Sequence, residues 1–120
     1  MRTWTVGGLC AVLAGMALSA QTVSAQDKAL IEQGIKVYAA QKCSVCHSIE
    51  GKGKKTGPLD GAEAKLNAMT VDEIREWLTN PAVAAKKANS TKKPVMKSYA
   101  KLPKEDIDAL VAYMMSLKKS

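Results

Sequence analysis

The chain has 120 residues, a formal net charge of +7 and no phenylalanine. That length holds one small domain. Its three cysteines are too few for the multi-disulfide framework by which small secreted domains often reinforce a thin core, and its basic balance is accompanied by no recognised nucleic-acid-binding motif.

The first segment reads as a secretory leader. Arg2 precedes a mostly apolar run from Val6 to Ala20, and Val23-Ser24-Ala25 forms a small-x-small cleavage site. The run is short and broken by Gly7, Gly8 and Gly15, which argues against a transmembrane helix. The alternative is an uncleaved leader that anchors the domain to a membrane. Cys10 falls early in the run and would leave with it. The expected division is therefore residues 1–25 as signal peptide and 26–120 as the mature domain. Export argues against a nucleic-acid partner.

A first helix is expected from Gln26 to near Gln41. Asp27 suits its N-cap, and Leu30, Ile31, Gly34, Val37 and Tyr38 recur at helical spacing. Glycine costs about 1 kcal/mol in a helix interior relative to alanine. Gly34 is thus either a point of close approach by another helix or an ordinary weak spot.

Cys43-Ser44-Val45-Cys46-His47 follows. Two thiols three positions apart sit on neighbouring faces of one helical turn. They can add to the two vinyl groups of one haem, and the adjacent imidazole is then held under the iron as its proximal ligand. His47 is the only histidine in the chain, so imidazole ligation within the chain must use it. The mature domain keeps only Cys43 and Cys46, and haem attachment would use both.

Ile49 to Gly61 reads as a loop broken by Gly51, Gly53, Gly57, Pro58 and Gly61, with a short helix expected over Ala62–Ala68. Thr70-Val71-Asp72-Glu73 is a capping-box pattern. It opens a helix through Ile74, Trp77 and Leu78 that ends before Asn80-Pro81. Ala82 to Ser98 is ambiguous: Ala82–Ala88 can form a helical turn, while Asn89 to Lys97 reads as a polar loop carrying Pro94 and Met96. The last helix starts near Pro103 and buries Ile107, Leu110, Val111, Met114 and Leu117. No strand pattern, repeat or second domain boundary appears, so the expected class is all-α.

In this order the elements resemble a small class I monohaem cytochrome c of the exported bacterial kind: N-terminal helix, Cys-x-x-Cys-His, Gly-Pro-Leu loop, Trp-bearing helix, methionine loop, C-terminal helix. The resemblance implies the cytochrome c fold, three to five helices around one covalently attached haem c with its iron. It also implies that the first and last helices cross tightly, with Gly34 and Tyr38 meeting Leu110 and Tyr113. Pro58, in Gly57-Pro58-Leu59, would offer its carbonyl to the second N–H of His47. Trp77 would bond a haem propionate, the alternative being plain core packing. Met96 would be the sixth ligand, giving His47 and Met96 as the iron ligands. Met69 is its main rival, while Met114 and Met115 lie in a regular helix.

A His/Met iron with both sites filled suits electron transfer rather than substrate or gas chemistry. The function expected from the resemblance is an electron carrier, not an enzyme, working in the periplasm as a monomer between redox partner proteins. The alternative is the haem c subunit of a larger exported oxidoreductase. An open-site haem enzyme or gas sensor requires that Met96 not ligate. A thiol redox protein lacks its βαβ pattern here, and a zinc site lacks a fourth ligand. Lys52, Lys54, Lys55, Lys86, Lys87, Lys92, Lys93, Lys97, Lys101 and Lys104 either steer acidic partners or simply form a solvated face. With so few aromatic residues, the haem is expected to supply missing core, leaving the apoprotein poorly folded.

Overall fold

The computed structural model describes residues 19–119, with side chains from Asp27 onward. The expected leader, including Arg2 and Cys10, lies outside the described residues apart from its last stretch of backbone. Among the described residues, four α-helices carry the fold: α1 Ser19–Ala40, α2 Val71–Thr79, α3 Pro81–Lys87 and α4 Lys104–Leu117. None of them is long and apolar enough to cross a membrane. α1 begins before the expected Gln26, because Ser19 to Ala25 contains no Gly or Pro to stop it. Asp27 therefore sits inside the helix and not at its cap.

α4 is the element on which α1 and α2 both pack. Its residues Ile107, Leu110, Val111 and Met114 are buried against Val37 of α1 and Ile74 and Leu78 of α2. Fully burying one such side chain is worth roughly 1.5–3 kcal/mol. Where α1 meets α4, Gly34 faces Ala109, which is 0% exposed. A Cβ on Gly34 would run into the Ala109 carbonyl oxygen and the Tyr113 Cβ. Gly34 is thus a close-approach residue. One turn on, Tyr38 meets Tyr113 edge to face, with ring centroids 5.7 Å apart.

α2 carries both halves of its capping box. The Glu73 N–H donates to Thr70 Oγ1 at 3.2 Å, and the Thr70 N–H donates to Glu73 Oε1 at 3.3 Å. The helix stops at Asn80, and Pro81 opens α3 at its first position. The stretch from Ala82 to Lys87 is therefore helical, with Ala88 as its C-cap. Arg75 of α2 is paired with Asp108 of α4 at 2.7 Å. Pro103 occupies the N-cap of α4, one place before its expected position.

Two features correct the sequence reading. A two-stranded antiparallel ribbon pairs β1 (Ser48–Ile49) with β2 (Lys52–Gly53) where no strand was expected. Two-residue strands are too short to show alternation. Their turn residues, Glu50 and Gly51, both have positive φ (54° and 76°), as a primed hairpin turn requires. The helix expected over Ala62–Ala68 is a single 3-10 turn, Lys65–Ala68.

Candidate haem-binding site

The Cys43–His47 segment is shaped by the backbone around it. Lys42, in the left-handed region at φ 56°, turns the chain out of α1, and Cys43–Val45 forms a 3-10 turn. The N–H groups of Cys46 and His47 both bond the Cys43 carbonyl, at 3.1 and 3.0 Å. The ribbon closes over this turn: the Lys54 N–H reaches the carbonyls of both Ser44 and His47 at 3.1 Å. Gly53, at φ 109°, lies where a Cβ would strike the His47 carbonyl oxygen. Cys43 is half-buried, Cys46 is exposed, and both thiols are free.

His47 Nδ1 lies 3.0 Å from the carbonyl oxygen of Gly57. A carbonyl only accepts, so Nδ1 carries the proton and Nε2 keeps its lone pair for a ligand. The sequence reading gave this role to the carbonyl of Pro58; the partner is one residue earlier. Pro58 instead bridges Ser48 in parallel. Around it, the Ser48 N–H donates to Gly57 O at 3.2 Å and the Leu59 N–H donates to Ser48 O at 2.9 Å. Proline fits at that point because the bridge asks nothing of its nitrogen. Gly57 must be glycine, since a Cβ there would meet the Cys46 carbonyl oxygen and crowd the imidazole. Burial, first of all, holds His47 below its usual pKa; the Gly57 bond opposes this, and nearby Lys92 adds to it. The imidazole is thus neutral and metal-competent near neutral pH.

Two tyrosines flank the first thiol, and the sequence reading assigned neither to the site. Tyr99, from the methionine loop, sits beside Cys43. Tyr38, from α1, is pushed up to about 12, by burial first and then by Cys43. Its hydroxyl is buried and has no partner among the described residues.

Met96 is half-buried and packs on the core, as does Met69. Met69 is fixed by its N–H to Leu66 O at 3.0 Å and by Lys118 Nζ on its carbonyl at 2.5 Å. Met114 is core, as expected. Trp77 is half-buried and lines a groove of about 280 Å³ between α2 and α3, beside Asp72, Glu76, Ala84 and Lys87. It does not join the core cluster. The ten lysines named above are all exposed. Four of them have local partners: Lys87 with Glu76, Lys104 with Asp108, Lys92 with the Thr56 carbonyl, and Lys97 over the Tyr99 ring.

The donor set fits a covalently held haem. Two free thiols stand three positions apart, one imidazole presents a single basic nitrogen, and glycine leaves room beside it. Residues 31–118 match the family model described as Cytochrome c. The chain is also 29% identical over 102 residues to the cytochrome c oxidase subunit 2 of Alkalihalophilus pseudofirmus, an alignment covering 80% of this chain and 28% of that protein. It thus spans little more than a quarter of that relative's length. No solved structure matches. The chain belongs to the cytochrome c family, all-α proteins that bind haem c covalently with its iron and serve haem-based electron transfer.

Proposed function

We propose that this chain is an exported one-electron carrier. Cys43 and Cys46 form the haem thioethers, and His47 and Met96 ligate the iron. Residues 1–25 are a cleaved signal peptide, and 26–120 work in the periplasm as a monomer. The observation that carries the reading is the His47 Nδ1 to Gly57 O bond at 3.0 Å, directly after two free thiols. It fixes the tautomer and makes Nε2 the better donor.

Bound haem supplies an iron that gains and loses one electron. The chain's task is to hold that iron in nearly the same surroundings in both states. His47 contributes a ring fixed by its Nδ1–H donating to the Gly57 carbonyl. Met96 contributes a neutral thioether, which favours the ferrous form and raises the potential. With His47 and Met96 both holding the iron, no site would remain for a substrate. The exposed lysines favour acidic redox partners, and that attraction weakens as salt rises. A propionate contact for Trp77 remains part of this reading through family likeness alone, since its groove neighbours are Asp72, Glu76 and Lys87.

Carbon monoxide tests the closed site. The ferrous protein at neutral pH should bind it weakly or not at all; ready binding would replace the carrier with an open-site enzyme or sensor. A second reading, a haem c subunit of a larger oxidoreductase, is favoured by the likeness to an oxidase subunit. Stable co-purification with a partner from the native source would select it.

A further inference from the structure

We infer that Ser98 is a positioning residue for Met96, pinning the methionine loop to the end of α2. This rests on Met96 being the sixth ligand.

The last carbonyls of a helix lack partners within it. At the end of α2 the methionine loop takes two of them. The Tyr99 N–H donates to Leu78 O at 2.7 Å, and the Ser98 hydroxyl donates to Thr79 O at 2.8 Å. Ser98 Oγ also accepts the Ala100 N–H at 3.3 Å, so one hydroxyl holds both helix and loop. The anchor itself is firm. α2 is boxed at its start, buries Ile74 and Leu78, and is paired to α4 through Arg75.

Met96 lies two residues before this clamp. On its other side the loop is looser. Lys93, Pro94 and Val95 are exposed, and the nearest tie is Lys92 Nζ to Thr56 O at 3.3 Å. Met96 itself packs on the core, and the backbone that carries it is tied mainly from the α2 end. The Tyr99 bond uses backbone and survives side-chain replacement. Ser98 is the part of the clamp that a point substitution removes.

A neutral thioether competes for iron largely through being held in place. Imidazole titration of the ferric holoprotein measures that hold, because added imidazole must displace the sixth ligand. Ser98→Ala should bind imidazole about fivefold more tightly, the ratio for losing one ordinary hydrogen bond. Ser98→Thr keeps the hydroxyl and should restore the original affinity. In a Met96→Ala background, where no thioether is left to position, Ser98→Ala should change nothing. An equal change in both backgrounds would overturn the role of Ser98 and leave Met96 as ligand. If Met96→Ala by itself left imidazole affinity unaltered, the ligand assignment would fall, and the Ser98 inference with it. Unchanged affinity in Ser98→Ala alone would remove the Ser98 inference only.

Discussion

The α1–α4 crossing and the methionine loop are held by different physics. The crossing is a contact of surfaces: Gly34 against Ala109, Tyr38 against Tyr113, with Val37, Leu110 and Met114 buried around them. The loop from Ala88 to Pro103 has almost no regular structure. Met96, Tyr99 and Leu102 rest on the core only partly buried, and the rest of its fixing comes from single polar contacts: Ser98 and Tyr99 on the end of α2, and Lys92 on Thr56. Packing spreads its free energy over many small contacts and resists change in volume. Individual hydrogen bonds are modest, and each can be lost to one substitution.

The largest expected effect asks whether the crossing stands without the haem. Replacing Cys43 and Cys46 together with alanine should abolish covalent haem, read as loss of the pyridine haemochrome signal, and leave a protein without a sharp thermal transition. Cooperative unfolding of that variant would show that the helical half is self-sufficient. Next, Gly34→Ala forces a Cβ against the Ala109 carbonyl. Overpacking of this kind costs about 1–3 kcal/mol, and each kcal/mol lowers Tm by roughly 4–8 °C in a domain this small. Calorimetry should find the loss with the haem spectrum unchanged.

These two regions also differ in how far they could be read in advance. The apolar stripe of α4 announces itself by spacing, because a helix repeats its face every three to four residues, whereas spacing leaves Gly34 open between close approach and a weak spot, and the family resemblance is what points to the crossing. The capping box at Thr70 was equally legible, being a local rule. The ribbon at Ser48–Gly53 was not: its strands are two residues long, and Glu50 is no obvious residue for positive φ. The resemblance implies the Pro58 carbonyl as the His47 acceptor, and the structure has that of Gly57. Choosing between the carbonyls of Gly57 and Pro58 depends on how the chain pairs with Ser48, which no local pattern encodes. Tyr99 meets Cys43 across a long sequence gap for the same reason.

Smaller effects separate the regions further. Thr70→Ala removes the cap of α2 and should cost about 1 kcal/mol. Because α2 is the loop's anchor, the same variant should also loosen Met96 slightly, read as tighter imidazole binding. The least effect is expected at Asp108. Lys104, then Arg75, holds its carboxyl below the usual carboxylate range. A depressed folded-state pKa means stabilisation that is present at neutral pH and lost as pH falls through that pKa. Both side chains keep part of their surface in water, 38% for Arg75 and 27% for Asp108, so the pair's worth is small and screened by salt. The Tm gap between the native protein and Asp108→Asn should therefore close on acidification and in high salt.

The charge-transfer band from methionine sulfur to ferric iron, at the red end of the visible spectrum, tests the His47/Met96 assignment most directly. It should be present in the native protein, survive in Met69→Ala and vanish in Met96→Ala. A band that survives in Met96→Ala and vanishes in Met69→Ala would contradict it.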